Sequence, residues 1–188
     1  VEDLNIVSKL EYDSQPMNIE TIQVVPFARG IVADYLNTGI DVQYDLEFFD
    51  TPTVQECAIQ GDERLLRRAV RNLIDNAMRH NGEGCKIALS LDVEPSSMLA
   101  LTVADNGRGC DTSRIGALMA QASTPDASYD AHGLGLTLVS RISIMHGGYV
   151  SFASEPGRGF TATMRIPVAI PQSEPTRPEQ RESQANVR

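Results

Sequence analysis

The segment from Asn72 to Asn81 limits what this chain can fold into more than any other. Asn72, Asn76 and His80 recur every four residues, and Arg79 stands beside them. At about 100° per residue, these side chains fall within roughly a third of a helix circumference. The neighbouring arc is apolar and is formed by Leu66, Val70, Leu73 and Ala77. The pattern predicts a helix with one buried stripe and an adjacent stripe of amides, a cation and an imidazole.

The two asparagines on one helix face suggest a ligand. Asparagine inside a helix costs about half a kcal/mol relative to alanine, so something else should compensate for Asn72 and Asn76. An amide oxygen is a hard, neutral ligand that suits Mg²⁺, which proteins commonly hold with few side chains plus phosphate oxygens. Arg79 could reach the same phosphates. The alternative for this segment by itself is a solvated helix face.

A second polar segment follows a predicted strand. Leu99, Leu101 and Val103 alternate as in a half-buried strand, and Asp105-Asn106-Gly107-Arg108-Gly109 comes next. A carboxylate at a strand end beside a glycine loop can accept a hydrogen bond from an exocyclic amine such as that of adenine. The alternative is a tight turn, because Asn-Gly is a strong hairpin signal.

A third segment joins two glycines to a helix. Residues 132–136 read His-Gly-Leu-Gly-Leu and lead into an apolar helical pattern that ends near His146. Gly133 and Gly135 let the backbone approach a ligand, and the helix behind them offers free N–H groups to an anion. The spacing fits neither the dinucleotide fingerprint nor a Walker A loop. The alternative is a plain joint between a loop and a helix.

Together, in this order and spacing, the three segments resemble the N, G1 and G2 boxes of the ATP-binding catalytic domain of sensor histidine kinases. That family belongs to the superfamily shared with DNA gyrase, Hsp90 and MutL. The ending also resembles the family, because His146-Gly147-Gly148 precedes a strand and residues 154–161 look like its final hairpin. The resemblance covers residues 21–168. It implies an α+β two-layer sandwich, with a mixed β-sheet covered on one face by helices, which is the Bergerat-type ATP-binding fold.

The resemblance implies a role for each matching position. Asn76 would be the principal Mg²⁺ ligand, Asn72 would support the metal and the phosphates, and Arg79 would act with them in catalysis. Asp105 would bind the adenine amino group of ATP. The implied cofactor-binding residues also include His80, Gly107, Gly109, His132, Gly133, Leu134, Gly135 and Leu136.

The resemblance also implies a reaction and partners. Gyrase and Hsp90 carry a water-activating glutamate at the position of Asn72, so an asparagine there implies a kinase. The γ-phosphate of ATP would pass to a histidine on the chain's own dimerisation and phosphoacceptor domain, and then to an aspartate of a response regulator. None of His80, His132 and His146 matches the phosphoacceptor motif. We therefore expect a monomeric fragment of a homodimeric receptor, from its cytoplasmic portion below an inner or plasma membrane.

Two departures from the family pattern leave alternatives open. Many relatives carry a phenylalanine-rich F box between G1 and G2, but residues 115–119 contain no phenylalanine. Many also have a further glycine where Ala131 stands. These departures leave binding expected and put lid closure and rate in question. The alternatives are a non-catalytic nucleotide-sensing module, a serine kinase of the same superfamily, or an interaction domain without a nucleotide.

Length and composition set the remaining expectations. The 188 residues suit one domain with appendages. The resemblance implies the end of a dimerisation helix and its linker over 1–20 and the catalytic domain over 21–168, and composition predicts a disordered tail over 169–188. The net charge of −9 argues against a nucleic-acid surface. The three cysteines form no Cys-x-x-Cys pair, which suits reduced thiols.

Periodicity and turn residues predict the elements. Helices are expected over 1–13, 27–36, 62–80 and 134–145, with Asp62 as the N-cap of the third. His146 follows the last helix, where the dipole favours a cation. Strands are expected over 18–23, 41–48, 54–60, 86–93, 99–104, 149–153 and 160–166.

Overall fold

A computed structural model describes residues 16–39, 43–111, 113, 116 and 134–169. The helices in chain order are α1 (Val24–Leu36), α2 (Glu63–His80) and α3 (Leu134–Met145). The strands are β1 (Glu20–Gln23), β2 (Asp45–Asp50), β3 (Ala58–Gly61), β4 (Lys86–Glu94), β5 (Met98–Asp105), β6 (Tyr149–Ser154) and β7 (Phe160–Pro167). The helix predicted over 1–13 lies outside the described residues, as does all of the predicted tail except Ala169.

The sheet is mixed, as predicted. Five strands lie in the order β2-β4-β5-β7-β6, in which β2 pairs with β4 in parallel and the other neighbours are antiparallel. The expected pair of β4 and β5 forms directly, with Leu89 opposite Val103. A separate antiparallel pair of β1 and β3 lies beside this sheet, and the sequence analysis had not distinguished it.

The helices cover one face of the five-stranded sheet. Alternate residues of β4, among them Ile87, Leu89 and Leu91, are buried, whereas Lys86 and Asp92, which flank this run, are exposed. The apolar arc predicted for α2 is buried as well. The two-layer α+β arrangement is therefore confirmed, and its core lies between the sheet and the helices.

The α2 helix begins where the sequence predicts. The Asp62 side chain accepts hydrogen bonds from the backbone N–H groups of Arg64 at 3.0 Å and Leu65 at 3.2 Å. These bonds satisfy two donors that lack partners inside the helix, so Asp62 is the predicted N-cap. The helix ends at His80, with Asn81 as its C-cap.

Three predicted starts differ from the structure by three residues or more. The α1 helix begins at Val24 rather than Phe27, because Pro26 is tolerated in the first turn, where a missing N–H removes no helical bond. The strand predicted over 41–48 is β2 at Asp45–Asp50. The strand predicted over 54–60 is shorter and later, because Pro52–Val54 form a 3-10 turn that brings the chain into β3.

His146 follows α3 as predicted, but it is not a cation. Its Nδ1 lies 2.7 Å from the carbonyl oxygen of Ile142, and its Nε2 accepts the backbone N–H of Asp62 at 3.0 Å. A nitrogen that accepts a hydrogen bond carries no proton, so Nδ1 is the donor and the ring is neutral. The attraction of a charged histidine to the helix dipole does not explain this position.

Within the ranges that the structure describes, none of the helices combines the length and the apolar character that crossing a lipid bilayer requires.

Candidate functional site

The polar face of α2 carries Asn72, Asn76 and Arg79 as predicted. The Asn72 amide is half-buried, and its Nδ2 donates to the carbonyl oxygen of Arg68 at 2.9 Å, which leaves Oδ1 for another contact. Asn76 is also half-buried, and no described residue forms a hydrogen bond with its amide. Arg79 is exposed and has no ion-pair partner in the described part of the chain. This face therefore offers amide oxygens and a cation to a ligand.

The first turn of α3 lies against this face. A Cβ added at Gly135 would lie 3.5 Å from Oδ1 of Asn72, an ordinary van der Waals distance, so the two helices lie close together at this point. Leu136 is buried in the core. Leu134 begins the helix, and His132 and Gly133 lie outside the described residues. The structure thus brings the first and third predicted segments of the site together, at Asn72 and Gly135.

Asp105 ends β5, and one of its two carboxylate oxygens accepts hydrogen bonds from the backbone. Oδ1 accepts the backbone N–H of Gly107 at 2.9 Å and that of Phe160 at 3.3 Å. Neither of these bonds uses Oδ2, and the residue is half-buried. The carboxylate is therefore held by one oxygen, while the other can accept a hydrogen bond from a ligand.

The loop after Asp105 is fixed from two sides. On one side, Asn106 Oδ1 accepts the backbone N–H of Lys86 at 2.8 Å and lies 3.3 Å from the Cys85 thiol. On the other side, the backbone N–H of Cys110 donates to the hydroxyl of Ser154 at 2.9 Å. No sequence pattern predicted a role for these side chains. The Asn-Gly turn signal pointed to Asn106, but nothing local indicated Ser154, which lies 44 residues after Cys110.

The two glycines of this loop have packing roles in the structure. A Cβ at Gly107 would overlap the side-chain amide of Asn81. Gly109 has a φ of +60°, and a Cβ there would overlap the backbone carbonyl of Glu155. That they let the loop close over a base stays a prediction.

The negative charge of Asp105 affects the ionisation of the Cys85 thiol. Burial, and after it the negative charge of Asp105, raises the pKa of the Cys85 thiol. The thiol therefore stays protonated at neutral pH and donates to Asn106. All three cysteines are free, as the sequence analysis predicted.

His80 and the loop that follows Asp105 line one cleft, which has a volume of about 450 Å³. Its lining consists of His80, Asn81, Gly82, Glu83, Gly84, Cys85, Asn106, Gly107 and Arg108. Of the predicted site residues on α2, His80 lines this cleft, whereas Asn72 and Asn76 do not.

These groups suit a ligand with an amine at one end and negative charge at the other. Asp105 supplies a hydrogen-bond acceptor, and the face of α2 supplies amide oxygens for a hard cation and a guanidinium for an anion. No cluster of three or more histidine, cysteine or acidic residues that could hold a metal exists among the described residues. A metal at this face would therefore depend on amide oxygens and on oxygens of the ligand.

Comparison with known proteins agrees with this geometry. The model of a protein family described as "Histidine kinase-, DNA gyrase B-, and HSP90-like ATPase" matches residues 61–170. The sensor histidine kinase YvrG of Bacillus subtilis is 29% identical over 168 residues, which cover 87% of this chain and 28% of YvrG. The sensor protein BasS of Salmonella typhimurium is 35% identical over 115 residues, which cover 61% of this chain and 32% of BasS.

A solved structure shows the same fold. The catalytic domain of the histidine kinase ThkA superposes with a TM-score of 0.67 at 18% identity, covering 80% of this chain and 98% of that domain. The chain spans less than a third of the length of YvrG or of BasS, at 28% and 32%.

Proposed function

The chain belongs to the family of histidine kinase-, DNA gyrase B- and HSP90-like ATPases, and we propose that it is the ATP-binding catalytic domain of a sensor histidine kinase. One observation carries the proposal: the asparagine face of α2 packs against the first turn of α3 inside the region that the family model matches. The names of YvrG and BasS, a sensor histidine kinase and a sensor protein, support a kinase over the other members of the family.

Asp105 would recognise the base of ATP. Its Oδ1 is held by the N–H groups of Gly107 and Phe160, which fix the direction in which Oδ2 points. A carboxylate accepts hydrogen bonds and donates none, so it selects the amino group of adenine over the carbonyl oxygen of guanine. With guanine, the Asp105 carboxylate and the carbonyl oxygen of the base would both be acceptors and would face each other without a hydrogen bond. Leaving these polar groups unpaired in the complex costs binding free energy.

Asn76 would hold Mg²⁺, with Asn72 beside it. The fit rests on the Asn76 amide, which is half-buried and makes no hydrogen bond with any other residue in the described ranges. Its oxygen is a hard ligand of the kind that Mg²⁺ accepts together with phosphate oxygens. When bound, the ion neutralises phosphate charge. Arg79 and His80 would contact the phosphates. The Arg79 side chain is exposed, so its guanidinium can extend towards them.

The side chain at position 72 favours transfer over hydrolysis. An amide cannot remove a proton from water, so Asn72 leaves the γ-phosphate for a nucleophile that another domain supplies. We propose that this nucleophile is a histidine of the dimerisation domain, and that the phosphoryl group then passes to an aspartate of a response regulator. The contribution of this chain is to position ATP and to neutralise its charge. The whole receptor would be a homodimer, with this domain on the cytoplasmic side.

Phosphotransfer to a supplied hairpin tests the proposal. The chain is fused behind the dimerisation hairpin of a sensor histidine kinase and incubated with γ-labelled ATP and Mg²⁺. We expect label that resists alkali and is lost in acid, which is the behaviour of phosphohistidine. The same fusion with the acceptor histidine replaced by glutamine is the control. ATP binding without label would favour a nucleotide-sensing module over a kinase.

A further inference from the structure

The side chain of Asn81 joins the end of α2 to the loop that follows Asp105. Its Nδ2 donates to the carbonyl oxygen of Ala77 at 2.9 Å, and its Oδ1 accepts the backbone N–H of Arg108 at 3.1 Å. The first bond satisfies one of the carbonyls that a helix leaves open at its C-terminal end. The second reaches the loop across 27 residues of sequence. The nitrogen and the oxygen of this half-buried side-chain amide therefore both make hydrogen bonds.

The loop is held at successive N–H groups, each by a different part of the fold. Asn106 donates to the carbonyl oxygen of Lys86 at 3.2 Å, and Gly107 donates to Asp105 Oδ1 at 2.9 Å. Cys110 donates to Ser154 at 2.9 Å. Among the hydrogen bonds that residues 106–110 make within the described part of the chain, the bond from Arg108 to Asn81 is the one that reaches the end of α2. That helix also carries the asparagines of the phosphate end.

We propose that Asn81 is a positioning residue that holds Asp105 for the adenine amino group. The role rests on the proposed function. The Gly107 N–H that binds Asp105 Oδ1 and the Arg108 N–H that binds Asn81 belong to adjacent residues, so the second bond restrains the first. With Oδ1 occupied, Oδ2 faces the ligand. Asn81 thereby ties the base end of the site to the helix of its phosphate end.

Gly107 lies directly against the side-chain amide of Asn81. A Cβ at Gly107 would overlap the oxygen, the carbon and the nitrogen of the Asn81 amide, and no other heavy atoms lie as close. The φ of Gly107 is outside the left-handed region, so its backbone conformation is open to alanine. Gly107→Ala would therefore displace the Asn81 amide from both of its hydrogen bonds. The structure predicts that Gly107→Ala and Asn81→Ala have the same consequence.

The first test needs no ligand. Amide hydrogen exchange in the full chain, followed residue by residue by NMR, reports on the Arg108 N–H directly. We expect Asn81→Ala and Gly107→Ala to speed exchange at Arg108 by about tenfold, because one hydrogen bond is lost. Asn37→Ala, which replaces an exposed asparagine at the end of α1, is the matched control and should change nothing there. Unchanged exchange at Arg108 in both variants would contradict the proposal that the Asn81 side chain holds the Arg108 N–H.

The second test measures affinity for ATP and for GTP. We expect Asn81→Ala to weaken ATP binding about fivefold to tenfold and GTP binding much less, since one hydrogen bond is lost through Asp105. In an Asp105→Asn background the further loss should be close to none, because residues that act through one contact do not add. The double variant Asn81→Ala/Gly107→Ala should bind no worse than either single variant.

The outcomes separate the two claims. Additive losses with Asp105→Asn, or equal losses for ATP and GTP, would overturn the positioning role and leave the proposed function in place. Faster exchange at Arg108 with unchanged ATP selectivity would do the same. If the unaltered protein bound no ATP at all, the proposed function would fall and this role with it.

Discussion

The backbone N–H of Asp62 donates a hydrogen bond to Nε2 of His146, which lies 84 residues further along the chain, at 3.0 Å. The bond joins the N-terminal end of α2 to the C-terminal end of α3. The same two helices meet again at Asn72 and Gly135, where the phosphate end of the site is expected. The imidazole therefore sets the spacing of two helices from the end opposite to the ligand.

Removing this imidazole should destabilise the fold. His146→Ala leaves the Asp62 N–H without its partner in a buried place, since His146 is 8% exposed. The Ile142 carbonyl loses its bond to the ring but keeps the backbone N–H of residue 146. We expect the free energy of unfolding to fall by about 2–4 kcal/mol, from an unsatisfied donor and a cavity together. Urea unfolding measures it. Ile144→Ala, at an exposed position of the same helix, is the control, and an equal effect of both variants would contradict the assignment.

Asp62 should make stability depend on pH in the acid range. Burial raises the pKa of Asp62, but hydrogen bonds from Arg64, Asn18 and Leu65 outweigh it and hold the pKa below its usual value. A carboxyl with a lowered folded-state pKa stabilises the fold above its unfolded-state pKa of about 3.9. That stabilisation is lost as the pH falls through the folded-state pKa.

Comparison with Asp62→Asn isolates this contribution. Asparagine can still cap α2 but carries no charge for the Arg64 guanidinium, which lies 3.0 Å from the carboxylate. We expect the original chain to be more stable than the variant from neutral pH down to about pH 4, and the difference to shrink below it. Urea unfolding at a series of pH values measures the difference. A constant difference from pH 7 to pH 3 would refute the linkage.

Gly109 should tolerate no side chain. Gly109→Ala adds a Cβ that overlaps the carbonyl oxygen of Glu155, at a φ of +60°. Gly157 also has a positive φ, of +78°, but no atom lies near its added Cβ. Gly157→Ala should therefore cost only the conformational term of about 1–2 kcal/mol, and Gly109→Ala clearly more. Thermal unfolding of both variants checks this, and equal losses would mean that the loop can move away from Glu155.

Much of the fold followed from local patterns. The 3.6-residue period and the Asp62 cap predicted α2, and α3 was predicted with the bounds that it has in the structure. The strands β4 and β5 follow from alternation around a turn. The α1 helix begins three residues before its predicted start, because proline belongs readily to a first helical turn and Pro26 does not interrupt it.

The contacts between distant segments could not be predicted from periodicity. Asp105 was identified from its place at a strand end, but its bond from Phe160 joins residues 55 apart. Asn81 is the last residue of the first polar segment, and its position there does not predict that its side chain lies against Gly107. His146 was expected only as a helix C-terminal residue favoured by the dipole, because no local signal shows that its ring meets the backbone of Asp62. Such bonds depend on how the elements pack, and only the folded chain shows them.

The most direct test of the central claim is a titration of the chain with ATP, with and without Mg²⁺, alongside Asp105→Asn and Asn76→Ala. We expect saturable binding that needs Mg²⁺, loss of the preference for ATP over GTP in Asp105→Asn, and loss of the Mg²⁺ dependence in Asn76→Ala. Failure of the unaltered chain to bind ATP would contradict it. ATP affinity and selectivity that both variants share with the original chain would contradict the assigned site.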